Sequence, residues 1–130
     1  MILGLGLDIA RVDRVEDLLA RHGERFLRRV CTPGERAEAD KYEHAGAKAN
    51  HVAGRIAAKE AACKALGTGF SGGLTWHCFE VARAESGCPI LRATGVAAQQ
   101  LSRRGVSNML LSISHDAGIA AAVVVLEGEF

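Results

Sequence analysis

Near its start the chain reads ILGLGLDI (residues 2–9), a stretch in which large apolar residues alternate with glycine or aspartate. A period of two predicts a β-strand whose aliphatic side chains share one face, with Gly4, Gly6 and Asp8 on the other. Glycine weakens a strand, so two glycines on one face indicate that another part of the molecule approaches the backbone closely there. The fold therefore starts from a strand whose glycine-bearing face is expected to pack closely against another element.

The rest of the chain divides into helical and strand patterns. Helical spacing predicts four helices, at residues 12–30, 33–44, 51–66 and 96–103. Strand patterns predict four more strands, at residues 74–84, 89–94, 107–114 and 119–126. Thr32 and Glu35 form a predicted capping box at the start of the second helix, and 45–50 is expected to be a loop or a helix break. The last strand is continuously apolar, which is typical of a central strand or of one at a subunit contact.

The predicted order is βαααββαββ, an α+β fold with a mainly antiparallel sheet packed against helices. The 130 residues fit one domain, 1–130, and a hydrophobic content of 48% suffices for a core. The 16 Lys and Arg nearly balance the 15 Asp and Glu, so overall charge does not favour nucleic-acid binding. No apolar run reaches the roughly 18 residues of a membrane helix, and no basic leader precedes the first strand. We expect a cytoplasmic protein with four reduced cysteines, bound neither to a membrane nor to nucleic acid.

Acidic residues on two predicted elements are candidates for metal chemistry. Asp8 either caps the helix that follows its strand or binds a hard cation such as Mg²⁺. Glu60 and Lys64 are four residues apart and share a helix face, where they form either an ordinary surface ion pair or part of a phosphate site. If Asp8 binds a metal, Glu60 offers the second carboxylate that such a site needs.

Several groups could bind an anion near these carboxylates. Arg55 and Lys59 lie on the same predicted helix, and the loop Gly67-Thr68-Gly69 follows it with backbone amides that could face a phosphate. His115 closes a predicted strand, where it either bonds the following turn or acts as a phosphate ligand or an acid or base.

Five arginines between residues 11 and 28 fall in one arc, about 100° wide by helical rotation. They are Arg11, Arg14, Arg21, Arg25 and Arg28. Like charges at this spacing repel, so the arc is either a solvated face or the docking surface for a negative partner. The near-neutral overall charge and the few aromatic residues favour an acidic protein over nucleic acid as that partner.

Four segments together resemble the short, bacterial-type branch of the 4'-phosphopantetheinyl transferases, the holo-[acyl-carrier-protein] synthases. The segments are GLGLDIARV, RFLRRVCTPGE, GRIAAKEAACKALGTG and LSISHD, and they occur in the family's order over nearly the whole chain. The resemblance implies transfer of the 4'-phosphopantetheine arm of coenzyme A to a serine of apo acyl carrier protein, which supports fatty acid biosynthesis. It also implies a homotrimer with active sites between subunits.

The resemblance implies roles for particular residues. Asp8 and Glu60 would bind Mg²⁺, and Lys64 would balance charge on the transferring phosphate, with Lys59 nearby. Glu35 would hold or activate a water beside the attacking serine; it is the first candidate for the general base, and Glu60 is the second.

Further implied roles concern binding. Arg55 and His115 would hold the 3'-phosphate of coenzyme A, and the 67–69 loop would lie near the nucleotide. The carrier protein would dock on the arginine arc, with these best candidates: Arg14, Arg21, Arg25 and Arg28.

The sequence departs from the family at three positions, and it leaves alternative functions possible. Ile56 replaces the usual aromatic residue, and Cys78 and Cys88 stand where the family often has Asp and a basic residue. A silent carrier-binding module and a basic nucleic-acid binder are the rival functions. Within the transferase class, the acceptor could instead be a carrier domain of a polyketide or peptide synthase.

Overall fold

A computed structural model of the chain describes residues 1–129. Its strands are β1 (Ile2–Arg11), β2 (Phe79–Arg83), β3 (Pro89–Ala93), β4 (Val106–Asp116) and β5 (Ile119–Gly128). Its helices are α1 (Val12–His22), α2 (Glu24–Val30), α3 (Pro33–Ala39), α4 (Ala45–Leu66) and α5 (Gly95–Arg103), with a 3₁₀ turn at Trp76–Cys78. The predicted α+β class with antiparallel pairing is confirmed. None of the helices in this part of the chain is long and apolar enough to cross a membrane.

The main sheet has the antiparallel order β1-β5-β4, and β2 and β3 form a separate hairpin. The apolar strand β5 is central, as its composition predicted. Ala117 and Gly118 join β4 to β5 with φ values of 50° and 76°. Positive φ at both central residues suits a tight hairpin, so this turn continues the twist of the two strands.

Helix α4 packs on the glycine face of β1. A Cβ atom on Gly6 would lie 1.9 Å from the carbonyl oxygen of Ala61, and one on Gly4 would lie 2.3 Å from that of Ala65. No side chain fits at either position, and the alanines of α4 allow the same closeness from the other side. The predicted close approach is therefore confirmed, and the approaching element is α4.

The opposite face of β1 is open. Leu5, Leu7 and Ile9 have exposed fractions of 65%, 62% and 63%. The neighbouring Leu110 and Ile119 are also exposed. One face of the sheet is therefore covered by α4, whereas the other presents aliphatic side chains to solvent.

The helix predicted over 12–30 is two helices. Gly23 separates α1 from α2, with a φ of 51° that favours glycine, and its N–H donates to the Leu19 carbonyl oxygen. The periodic arginines continued through this break, so periodicity alone did not reveal it. The order therefore contains one more helix than βαααββαββ.

Three other boundaries were wrong. The helix predicted to reach residue 44 ends at Ala39, and 45–50 is not a loop but the first turns of α4, with the His44 ring accepting from the Ala47 N–H at 3.4 Å. The strand predicted from 74 begins at Phe79, after the 3₁₀ turn. The capping box at Thr32 is confirmed: its hydroxyl accepts from the Glu35 N–H, and the Glu35 carboxylate accepts from the Thr32 N–H.

Candidate active site

Asp8 and Lys64 face each other where β1 meets α4. Lys64 Nζ donates to Asp8 Oδ1 at 2.6 Å and to the Leu7 carbonyl oxygen at 3.3 Å. The Asp8 side chain is only 10% exposed, and its second oxygen, Oδ2, is buried without a hydrogen-bond partner. A buried carboxylate oxygen without a partner is costly, so this atom indicates a place for a ligand.

Glu60 lies one turn before Lys64 on α4 and beside Asp8. Burial, and then the adjacent Asp8 carboxylate, raise the pKa of Glu60 to about 7, while Lys64 opposes the rise. The structure therefore brings together Asp8, Glu60 and Lys64, with two carboxyl groups against one ammonium.

This donor set fits a hard divalent cation. The carboxylate oxygens of Asp8 and Glu60 are of the type that Mg²⁺ prefers. Within residues 1–129 no group of three or more His, Cys, Asp and Glu side chains could hold a metal ion by itself. A cation here would take its other ligands from water or from a substrate, as Mg²⁺ commonly does in phosphate chemistry.

Glu35 and Lys59 form a second acid–base pair, in the protein interior. Both side chains are 0% exposed, and Lys59 Nζ donates to Glu35 Oε1. Lys59 Nζ also donates to the carbonyl oxygens of Val30 at 2.7 Å and Trp76 at 3.0 Å. Besides the Lys59 ammonium, the Glu35 carboxylate accepts from the N–H groups of Thr32 and Val81.

These contacts do not favour two roles expected from the sequence. Glu35 was expected to hold a water beside a substrate serine, but its side chain is fully buried and both carboxylate oxygens accept hydrogen bonds. Lys59 was expected near coenzyme A, but its ammonium has three partners in the core. The pair instead ties the ends of α2 and α3 to α4 and to the 3₁₀ turn.

Arg55 lies near the middle of α4, and His115, on β4, packs against the same helix. The His115 ring is within 3.0 Å of the Asn50 carbonyl oxygen, in space left by Gly54, so His115 contacts α4 and not the following turn. Burial, followed by the neighbouring charge of Arg83, lowers the pKa of the Arg55 guanidinium. Cationic side chains therefore gather on this side of α4.

The Gly67-Thr68-Gly69 loop follows the carboxyl end of α4. The Gly67 N–H donates to the carbonyl oxygens of Cys63 and Lys64, so it closes the helix and does not face an anion. All three residues of the loop are exposed. Only the amides of Thr68 and Gly69 therefore stay as candidates for contact with a nucleotide.

An apolar groove extends from the arginine helices to Glu60. Two adjoining depressions of about 450 and 460 Å³ share these lining residues: Leu18, Phe26, Val30 and Trp76. Arg25 lines the outer depression, and Arg14 lines the inner one together with Glu60. A partner bound in this groove would therefore have an apolar floor, a basic rim and a carboxylate at its inner end.

The other two arginines of the predicted docking set are also exposed. The Arg21 guanidinium lies 3.2 Å from the Asp17 carboxylate, and the Arg28 carbonyl oxygen lies 2.7 Å from the His77 ring. The break at Gly23 thus divides the arginine arc between α1 and α2 without burying any of these four side chains.

Residues 4–124 match the family model of the 4'-phosphopantetheinyl transferase superfamily. The chain belongs to this superfamily. It is 44% identical over 127 residues to the holo-[acyl-carrier-protein] synthase of Solibacter usitatus, a match that covers 98% of this chain and 99% of that protein.

Solved structures of superfamily members match the fold as well. The holo-[acyl-carrier-protein] synthase of Neisseria meningitidis superposes with a TM-score of 0.88 at 32% identity, covering 98% of this chain and 99% of that one. The Bacillus anthracis enzyme, solved in complex with CoA (3',5'-ADP), has a TM-score of 0.82 at 36% identity, and the match covers 99% of each chain.

In this transferase, sequence reasoning missed the apolar floor of the groove and a side chain that joins α4 to β1. Trp76 and Phe26 lie on different elements, so no local pattern brought them together. Arg104, which bonds both α4 and β1, stood in the sequence beside Arg103 without any distinguishing signal.

Proposed function

We propose that this protein transfers the 4'-phosphopantetheine group of coenzyme A to a serine of apo acyl carrier protein. The products are holo acyl carrier protein and adenosine 3',5'-bisphosphate, and the reaction supports fatty acid biosynthesis. The observation that carries the proposal is the unpartnered Asp8 carboxylate oxygen, beside Lys64 and beside Glu60, which lines a groove with a basic rim. The relatives named holo-[acyl-carrier-protein] synthase support the same chemistry.

Magnesium is the cation that we assign to Asp8 and Glu60. The two carboxylates supply hard oxygen ligands and excess negative charge, and a bound pyrophosphate would complete the coordination. When bound, Mg²⁺ would polarise the phosphate and stabilise charge on the leaving group.

The transfer itself is a substitution at phosphorus. The serine oxygen of the carrier protein forms a bond to the β-phosphorus of coenzyme A, and the bond from that phosphorus to the bridging oxygen breaks, which releases adenosine 3',5'-bisphosphate. Lys64 offers a positive charge beside the transferring group, where such reactions gain most of their rate from position and charge neutralisation. The proton of the serine hydroxyl would pass to a general base, and of the two carboxylates considered for that role Glu60 is the one beside Asp8 and Lys64.

The nucleotide would lie along the cationic side of α4. Arg55 and His115 are the residues that we assign to the 3'-phosphate, and Thr68 and Gly69 would contact the nucleotide from the loop. Burial, and then the charges of Arg55 and Arg83, lower the pKa of the nearby His51 to about 4, which is consistent with a region of positive potential.

The carrier protein would dock on the arginine helices with an acidic helix of its own. The basic rim would steer this partner electrostatically, while the apolar groove floor would bury its hydrophobic side chains. The residues assigned to this surface are Arg14, Arg21, Arg25 and Arg28. A free acyl carrier protein is the first choice of acceptor, and a carrier domain of a synthase is the second.

A homotrimer would cover the open face of the sheet. Leu5, Leu7 and Ile9 form a contiguous apolar surface of the kind that marks subunit contacts. Sedimentation velocity checks this assembly. Leu7→Lys is expected to yield monomers, whereas the control Leu18→Lys, at an exposed leucine outside this surface, is expected to leave the assembly intact. The expected cytoplasmic location stays a prediction.

The deciding experiment incubates the protein with coenzyme A, Mg²⁺ and a panel of apo carrier proteins, with intact mass spectrometry as the readout. A carrier protein that gains one phosphopantetheine group supports the proposal. Binding of carrier protein without a mass gain would favour the silent module. Salt-sensitive binding of DNA or RNA with no response to coenzyme A would favour the nucleic-acid binder.

A further inference from the structure

The three reactive side chains depend on the relative position of two elements. Asp8 belongs to β1, whereas Glu60 and Lys64 belong to α4. The glycine contacts set how closely α4 approaches β1. The Lys64 ammonium bonds Asp8 and the Leu7 carbonyl oxygen of β1, so these contacts use a reactive side chain. A further polar contact between the two elements would hold α4 in place independently of that side chain.

Arg104 provides that contact. It directly follows α5, and its guanidinium donates to the Leu66 carbonyl oxygen at 2.6 Å and to the Leu3 carbonyl oxygen at 3.0 Å. Leu66 is the last residue of α4, and the last carbonyl groups of a helix have no partner within it. A cation at this negative end of the helix is stabilising, so one side chain satisfies α4 and joins it to β1.

The position of Arg104 is itself fixed by the sheet. The next residue, Gly105, lies against β5, since a Cβ atom on Gly128 would be 2.3 Å from the Gly105 carbonyl oxygen. The Gly128 N–H donates in turn to the Met1 carbonyl oxygen at 3.0 Å, at the start of β1. Arg104 therefore reaches α4 from a firmly packed corner of the sheet.

We propose that Arg104 is a positioning residue for the transfer reaction, because its guanidinium holds the last turn of α4 against β1 and so sets Lys64 and Glu60 relative to Asp8. The inference rests on the proposed function. Lys64 stands two residues before the Leu66 carbonyl group that Arg104 binds. A shift of about 1 Å in a catalytic group can lower a rate about a hundredfold.

The test compares Arg104→Met and Arg104→Lys with Arg103→Met, a matched change at the exposed neighbouring arginine. We expect Arg104→Met to lower kcat about tenfold or more, with KM for coenzyme A and for the carrier protein nearly unchanged. Arg104→Lys should recover part of the loss, because an ammonium can still bond the end of α4, and Arg103→Met should behave as wild type. In the same variants, amide hydrogen exchange in the last turn of α4 should accelerate most for Arg104→Met, less for Arg104→Lys and not at all for Arg103→Met.

Two results would overturn the inference. One is an active wild type whose kcat is unchanged in Arg104→Met. The other is unchanged exchange at the end of α4, which counts against it even if the wild type transfers nothing and the proposed function fails. Rates are calculated per folded molecule. If Arg104→Met does not fold, Arg104→Lys decides, because it keeps the positive charge: a kcat and an exchange rate equal to those of wild type would then overturn the inference.

Discussion

Two carboxylate–lysine pairs take their lysines from the same helix, α4, but differ in exposure and in the number of hydrogen-bond partners that the protein supplies. Asp8 and Lys64 meet at the surface, where the lysine side chain is 57% exposed and one carboxylate oxygen has no partner. Glu35 and Lys59 meet in the core, with both side chains 0% exposed and every acceptor oxygen of Glu35 engaged. The two lysines are only five residues apart, so residue type and spacing give them nearly the same appearance in the sequence.

The difference teaches how a binding site is told from a structural contact. A charged group whose hydrogen-bond partners are all supplied by the protein has little capacity left to bind a ligand. A buried pair of this kind instead fixes the relative position of the elements that it joins. A carboxylate oxygen that is buried yet unpartnered retains its full capacity to bind a cation. The reactive site is therefore found at the incomplete pair.

Breaking the complete pair should have the largest effect. Lys59→Met leaves the Glu35 carboxylate buried without its cation, and removal of one partner of such a pair costs about 3–5 kcal/mol. We expect urea denaturation, followed by circular dichroism, to show a loss of this size in the free energy of unfolding. The double variant Glu35→Gln/Lys59→Met removes the uncompensated charge and should regain part of it. A single variant as stable as wild type would mean that the pair does not stabilise the core.

Breaking the incomplete pair should instead affect chemistry. Asp8→Asn keeps the shape of the side chain but removes its charge, so transfer should fall about 10²–10³-fold while the urea midpoint stays close to that of wild type. A second readout is the rise in Tm with added Mg²⁺, which should disappear. The control is Asp13→Asn, at an exposed carboxylate of α1 that pairs with Arg11. Full activity of Asp8→Asn at saturating Mg²⁺ would refute the metal assignment.

Much of this comparison could be predicted from the sequence. The alternation in residues 2–9 predicted β1 and the close approach at its glycines, and residues 32–35 predicted the capping box. Both predictions were correct because each depends on a local pattern. Asp8, Glu60 and Lys64 were also singled out, and the structure brings them together.

What could not be predicted depends on contacts between distant elements. The Glu35 residue of the capping box also accepts from Val81 and from Lys59, and these contacts lie in the core, away from the Asp8 site. No pattern within 33–44 contains those partners. The break at Gly23 and the helical state of 45–50 were missed for a related reason, since packing decides where a weakly marked helix starts or ends.

The arginines at the rim of the groove are exposed and therefore available to a partner, as the free Asp8 oxygen is available to a cation. Charge reversal at the rim should accordingly affect binding and not stability. Reversing Arg14 or Arg25 to Glu should raise KM for the carrier protein about tenfold and leave KM for coenzyme A nearly unchanged. The difference should shrink at high salt, since screening weakens exposed charges. Arg92→Glu, on β3, is the matched control. An equal rise in KM for both substrates would count against docking on this surface.

The smallest expected effect is on stability, and it compares the two lysines directly. Lys64→Met removes an ammonium that is largely exposed, and an ion pair with one well-solvated partner contributes less to stability than a pair in which both partners are buried. Its shift in urea midpoint should be roughly a fifth or less of that of Lys59→Met, measured side by side. Transfer should nevertheless fall in Lys64→Met, since the positive charge beside the transferring phosphate is lost. If the two variants lost equal stability, exposure would not separate the pairs, and the distinction between a complete structural pair and an incomplete reactive one would have to be abandoned.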